Sequence, residues 1–143
     1  MPFKFLEDVA IADSAFEARG KTLNELFESS ALATMDVMAN VKTIKPRVKK
    51  AIELKSESID TLLFDFLEEI VYIKDKDSFI FSKLKVSVTD ADKKIKKLKA
   101  VLHGEKIDYR KHDMRRDVKA VTMHMFSVRK DKKGWTSTVV LDI

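Results

Sequence analysis

The chain has 143 residues, of which 45% are hydrophobic and 36% are charged, and its formal net charge is +5 at pH 7. This length and composition fit one globular domain over residues 1–143 and exclude a disordered chain. The chain has no cysteine, which excludes disulfides, thiolate metal sites and cysteine nucleophiles. No apolar run is long enough for a membrane span, and Glu7 and Asp8 interrupt the apolar N-terminal stretch, which argues against a signal peptide. We therefore expect a cytoplasmic protein.

The first half of the chain predicts two helices, each preceded by a strand. The segment DSAFEARG predicts a short strand that ends at Gly20. In the helical segment TLNELFESSALATMDVMAN, Thr22 and Glu25 have the spacing of a capping box. RVKKAIELKS alternates as a strand does, and SIDTLLFDFLEEIVYI has a nearly complete apolar stripe at helical spacing, with Ser58 as its cap.

The second half predicts strands. FIFSKLKVSV and IKKLKAVLHG alternate and are joined by a turn at TDADKK. DVKAVTMHMFSVR is apolar on both faces, which predicts a covered central strand with His124 in the core. WTSTVVLDI then returns as a hairpin after the turn KDKKG. The predicted fold class is α+β, with two main helices packed on a largely antiparallel or mixed β-sheet.

The residues provide no catalytic constellation. There is no Gly-x-Ser-x-Gly elbow and no glycine-rich phosphate loop. The three histidines lack the spacing of a zinc protease: His103, His112 and His124. Three acids on the outer side of the second helix are most simply interpreted as a solvated face: Asp65, Glu68 and Glu69. These patterns favour a protein that is not an enzyme; the alternatives are a pair of catalytic carboxylates brought together from distant parts of the sequence and a free-standing metal-dependent enzyme.

Two basic segments, DKKIKKLK and DYRKHDMRRDVK, are candidates for contact with a partner. In the second, Lys and Arg are interleaved with Tyr109, His112 and Met114, a mixture that can contact a phosphate backbone or a protein surface. The alternative is exposed strand and loop charge with no partner.

The closing segment TSTVVLDI places Asp142 beside the terminal carboxylate of Ile143. Asp13 opens the first apolar-flanked strand, and if that strand runs next to the last one, three anionic groups gather at one sheet edge. Such groups repel unless a cation lies between them, and hard oxygen ligands favour calcium or magnesium over zinc. The alternative is that both aspartates are simply exposed at strand ends.

Several of these segments also carry a family resemblance. Its most specific motifs are an Asp seven residues before Gly-Lys-Thr-Leu, the helix segment LLFDFLEE, the strand VKAVT followed by His, and the terminal LDI. In these motifs, which follow in order over nearly the whole chain, the sequence resembles the archease family.

The resemblance implies a small cytoplasmic α+β protein that assists the RtcB-type tRNA-splicing RNA ligase by promoting its guanylylation and multiple turnover. A second implied role is that of chaperone or specificity modulator of a tRNA cytosine methyltransferase, with possible tRNA contact. The resemblance also implies a calcium site with Asp13, Asp142 and the Ile143 carboxylate as ligands, and it assigns Lys119 to the functional surface. Many family members carry polar residues where this chain has Ala10 and Ile11, so we expect weaker metal affinity here.

Overall fold

The computed structural model describes residues 2–6, 13–92 and 94–143, apart from the side chains of residues 13, 91 and 92. Two α-helices and seven strands follow one another along the described chain: β1 Phe3–Leu6, β2 Asp13–Gly20, α1 Leu23–Met38, a 3-10 turn at Val41–Thr43, β3 Val48–Ser56, α2 Ile59–Asp77, β4 Phe79–Asp92, β5 Ile95–Lys106, β6 Ala120–Asp131 and β7 Gly134–Asp142. The α+β class is confirmed.

The strands form two antiparallel sheets where the sequence predicted one. A four-stranded sheet has the order β1-β2-β7-β6, and a three-stranded sheet has the order β3-β5-β4. The N-terminal strands therefore pair with the C-terminal hairpin, and the central hairpin pairs with β3. Alternation along a strand determines which residues share a face but not which strand lies next to it, so the division into two sheets was not predictable.

The two helices lie between the two sheets. Helix α1 packs on β2 and β7 of one sheet and on β4 of the other, while α2 packs on β6 and on β3–β5. Phe27 of α1 and Phe66 of α2 stack with their ring centroids 6.0 Å apart. Both rings are fully buried, and burial of such a side chain stabilises the fold by about 1.5–3 kcal/mol. The core is thus formed by the helix pair and the inner faces of both sheets.

Both helices begin at the predicted caps. The Thr22 hydroxyl accepts a hydrogen bond from the Glu25 N–H at 3.2 Å, and the Glu25 carboxylate accepts one from the Lys21 N–H at 2.8 Å. The return bond therefore goes to the residue before Thr22 and not to Thr22 itself. The Ser58 hydroxyl caps α2 through the Thr61 N–H at 3.1 Å. Neither of the described helices has the length and apolar content that crossing a membrane requires.

The prediction that β6 is a covered central strand was wrong, although the segment does form a strand. This strand lies at the edge of its sheet, whereas β7 is one of the two interior strands and has three consecutive residues that are fully buried: Val139, Val140 and Leu141. In β6 the register passes from Thr122 opposite Val140 to Ser127 opposite Thr138, so residues 123–126 oppose one residue of β7. Three residues of this bulge, Met123, His124 and Met125, are exposed, so His124 is not a core histidine.

Candidate functional site

The strands that contain Asp13 and Asp142 are neighbours in the four-stranded sheet. The two residues are direct partners in the antiparallel register of β2 and β7. Direct partners in antiparallel strands have Cα atoms about 4.5–5.5 Å apart. The strand adjacency on which the predicted acidic cluster depended is therefore present, and it brings together residues from both ends of the sequence.

Ile143 and Lys119 lie at the same end of the sheet. The Ile143 side chain packs against the hydrophobic core, which holds the last residue of the chain beside Asp142. The Lys119 N–H donates a hydrogen bond to the Asp142 carbonyl oxygen at 2.8 Å, and its side chain is exposed. We call Asp13, Asp142, Ile143 and Lys119 the acidic end.

The three predicted metal ligands of the acidic end are Asp13, Asp142 and Ile143. Their carboxylate oxygens suit a hard divalent cation such as calcium or magnesium. Asp142 is half-buried, and its carboxylate forms no ion pair with any of the described side chains. Within the described side chains no three His, Asp or Glu groups converge as a metal site, and the Asp13 side chain is not among them. Ala10 and Ile11 also lie outside the described residues, so the metal site stays a prediction.

Helix α2 anchors the segment that leads to the acidic end. The Lys74 ammonium, only 6% exposed, bonds the Asp117 carboxylate, the Val118 carbonyl oxygen at 3.0 Å and the Asp75 carboxylate at 2.6 Å. Burial alone would lower the pKa of Lys74, but its bonds to Asp117 and Asp75 outweigh burial and raise this pKa. The network fixes the backbone immediately before Lys119.

A second anchor from α2 is Glu68, which the sequence analysis assigned to a solvated face. Its carboxylate accepts a hydrogen bond from the Val121 N–H on the edge strand. Desolvation raises the pKa of Glu68 and the nearby Asp65 raises it further, whereas the Val121 bond acts in the opposite direction. Glu68 therefore covers an edge-strand donor, a role that helical periodicity alone could not reveal.

The β6 bulge adds an exposed apolar surface near the acidic end. Met123 is 71% exposed and Met125 is 54% exposed, and Met125 has a left-handed backbone with φ of 57°. Phe126 secures the bulge through an edge-to-face contact with Phe64, with ring centroids 5.4 Å apart. Exposed, flexible thioether side chains suit contact with a protein partner. The apolar residues of this segment favoured a buried strand, so the exposed surface was not predicted from the sequence.

His112, in the second basic segment, has a structural role. It is 4% exposed, and its Nδ1 accepts a hydrogen bond from the Asp108 N–H at 2.9 Å. The ring proton therefore resides on Nε2, which faces the Glu105 carboxylate at 3.5 Å. The bond from Lys111 lowers the pKa of Glu105 against the opposing effect of desolvation, and the Lys45 N–H lowers it further. This network holds the loop after β5 and leaves His112 inaccessible to RNA.

Comparison with known proteins identifies the family. The model of the Archease protein family (MTH1598/TM1083) matches residues 3–143. Protein archease of Pyrococcus furiosus is 38% identical over 133 residues, which cover 92% of this chain and 93% of the relative. Protein archease of Methanothermobacter thermautotrophicus is 34% identical over 141 residues, with 99% and 98% coverage.

Solved structures share the fold. The solution structure of Methanobacterium thermoautotrophicum protein 1598 superposes with a TM-score of 0.87 at 35% identity and covers 99% of both chains. The crystal structure of an archease from Thermotoga maritima, described as a possible chaperone, gives a TM-score of 0.62 at 18% identity, with coverage of 94% of this chain and 93% of that one. The family match over nearly the whole chain and the curated relatives lead to one conclusion: this chain belongs to the archease family.

Proposed function

We propose that this protein activates an RtcB-type tRNA-splicing RNA ligase, promoting guanylylation of the ligase and its multiple turnover. Family membership supports the proposal, as does the description of the Thermotoga maritima relative as a possible chaperone. The observation that carries it is the direct pairing of Asp13 with Asp142 beside Lys119. In this proposal the chain is not an enzyme and works in the cytoplasm.

The acidic end would bind calcium or another hard divalent cation through Asp13, Asp142 and the Ile143 carboxylate. When bound, the cation neutralises the clustered negative charge and allows these carboxylates to approach an anionic active site. Lys119 lies just before β6 and presents a positive charge beside these carboxylates, because its N–H donates a hydrogen bond to the Asp142 carbonyl oxygen. Met123 and Met125 of the bulge would contact the ligase surface around that active site.

A multiple-turnover RNA ligation assay with the cognate ligase tests the proposal. The wild-type chain should increase both the turnover number of the ligase and the fraction that is guanylylated. Asp13→Asn and Asp142→Asn each keep the side-chain shape and remove one charge, and both should abolish the stimulation. Asp131→Asn, at the exposed far end of β6, is the matched control and should stimulate like the wild type. Normal stimulation by both acidic-end variants would contradict the proposal.

The second candidate function is a chaperone or specificity modulator of a tRNA cytosine methyltransferase. The exposed methionines of the bulge favour it, because flexible thioether surfaces adapt to more than one protein partner. Under this alternative, the chain changes the set of methylated cytosines in tRNA when it is added to purified methyltransferase. An unchanged methylation pattern together with ligase stimulation would leave ligase activation as the function.

A further inference from the structure

The outer face of the three-stranded sheet carries an unusual concentration of lysine. Its inner face packs on the helices through buried residues: Ile52, Val86, Leu98, Ala100 and Leu102. Since side chains alternate along a strand, the residues between these point away from the helices. Six of them are exposed lysines, two on each strand, which we call the lysine face: Lys49, Lys55, Lys83, Lys85, Lys97 and Lys99.

The strand register fixes how these lysines are arranged. Lys55 and Lys97 are direct cross-strand partners, and Lys49 and Lys83 flank His103 from either side. Alternate residues of a strand are about 6.6 Å apart and neighbouring strands about 4.8 Å apart. The six ammonium groups are therefore spread over a patch roughly 20 Å long and 10 Å wide.

The positive charge of the lysine face is not neutralised within the described part of the chain. None of its six lysines forms an ion pair there, and the one acid on this face is Glu53, paired across the strands with Lys99. Elsewhere this chain does pair its lysines, as Lys50 does with Asp77 at 2.8 Å. Like charges directly opposite on a sheet are destabilising, so the Lys55–Lys97 pair has a cost that an anionic ligand would offset.

The chemistry of this face points to a phosphate backbone as its ligand. Lysine is depleted from protein–protein interfaces, which disfavours a protein partner. The apolar side chains on the described part of this face are Ala51, Val101 and, at the start of β5, Ile95, too few for insertion into a lipid surface. Among the described outward-facing residues of these strands, His103 is the ring on which a base could stack, and phosphate contacts made by lysine carry no sequence information, so recognition would be largely independent of sequence.

We propose that the lysine face binds the phosphate backbone of double-helical RNA. A flat sheet face cannot enter the major groove of B-form DNA, whereas it can lie across the wide, shallow minor groove of A-form RNA and reach phosphates on both sides. This inference goes beyond ligase activation and does not depend on it, because direct RNA binding requires no ligase.

Fluorescence anisotropy with a labelled RNA hairpin, in the absence of ligase, tests the inference. The wild-type chain should bind with a steep salt dependence, whose slope of log K against log salt is about −0.9 for each phosphate contacted. The triple variant Lys55→Gln, Lys97→Gln, Lys99→Gln should weaken binding at least tenfold and reduce the slope by about three. The matched control Lys21→Gln, Lys132→Gln, Lys133→Gln removes the same charge from exposed residues outside this face and should lose much less affinity.

Three results would overturn the inference. The first is no RNA binding by the wild-type chain at low salt, and the second is an equal loss of affinity in both triple variants. The third is binding to vesicles of anionic phospholipid, or to a DNA duplex of the same sequence, that equals or exceeds binding to the hairpin. Thermal melting verifies that the variants fold. Asp142→Asn should retain wild-type RNA binding. The ligation assay therefore tests ligase activation, and anisotropy without ligase tests RNA binding, so either claim can fail without the other.

Discussion

Asp13 and Asp142 are direct cross-strand partners, although they lie near opposite ends of the sequence. The Asp142 carbonyl oxygen also accepts the Lys119 N–H at 2.8 Å, which joins a third segment to the same point. Three remote parts of the chain therefore meet at one end of the four-stranded sheet.

Lys74 should be a structural requirement for this end of the sheet. Lys74→Met preserves much of the buried packing but removes the bonds to Asp117 and to the Val118 carbonyl. We expect a loss of about 1–3 kcal/mol in the free energy of unfolding, because a buried carbonyl loses its donor. Urea denaturation measures the loss, and Lys76→Met, an exposed lysine on the same helix, should change stability by less than about 0.5 kcal/mol.

The contribution of Lys74 to the free energy of unfolding should decrease only at high pH. The folded-state pKa is raised above 10.5, so the stabilisation is complete below pH 10.5 and is lost as pH rises through the folded-state pKa. The difference in stability between wild type and Lys74→Met should therefore stay constant from pH 6 to pH 9. A difference that shrinks across that range would contradict the assignment.

Glu68→Gln should stabilise the protein at neutral pH. The folded-state pKa of Glu68 is raised above 4.5 by desolvation, so the folded state binds more protons than the unfolded state above that pH. The contribution of Glu68 to stability should then decrease as pH rises through this window, whereas the variant still offers an oxygen to the Val121 N–H and lacks the half-buried charge. Paired urea titrations at pH 4.5 and pH 7 should show the advantage of the variant growing with pH. A variant that is less stable than wild type at pH 7 would refute this account.

His112→Leu should destabilise the loop after β5. The substitution leaves the Asp108 N–H without its acceptor and costs about 1–3 kcal/mol in the free energy of unfolding. The exposed His124→Leu is the control of the same residue type and should change stability by less than about 0.5 kcal/mol. Equal stability of the two variants in urea denaturation would show that the His112 network contributes nothing.

The exposed methionines should matter for partner contact and not for folding. Met123→Ser with Met125→Ser should alter the melting temperature little, because both side chains are largely exposed. Under the proposed function the same double variant should reduce stimulation of the ligase several-fold. Tyr109→Ser removes another exposed hydrophobic side chain and should leave stimulation unchanged. Full stimulation by the double methionine variant would exclude the bulge as a contact surface.

Local signals in the sequence predicted the local structure well. Thr22 and Ser58 are the helix caps, and both hairpins of the second half form, because these features depend on neighbouring residues. The strand Phe3–Leu6 was missed because four residues give too little alternation to recognise. The predicted turn TDADKK was placed too early, because β4 continues to Asp92.

Features that depend on pairing between distant strands were not predictable in the same way. Two apolar faces on β6 suggested a central strand, but the bulge exposes Met123 and Met125 and the strand lies at the sheet edge. The pairing of Asp13 with Asp142 could be predicted only on the condition that the first and last strands are neighbours, since one sequence does not define the register between its two ends. The lysine face likewise emerges only when three strands align.

Calorimetric titration of calcium into the purified chain tests most directly whether oxygen atoms from both ends of the polypeptide bind one hard cation. We predict one binding event for the wild type, a loss of affinity of at least about tenfold in both Asp13→Asn and Asp142→Asn, and unchanged affinity in Asp131→Asn. Absence of calcium binding in the wild type, or wild-type affinity in the two acidic-end variants, would contradict the account.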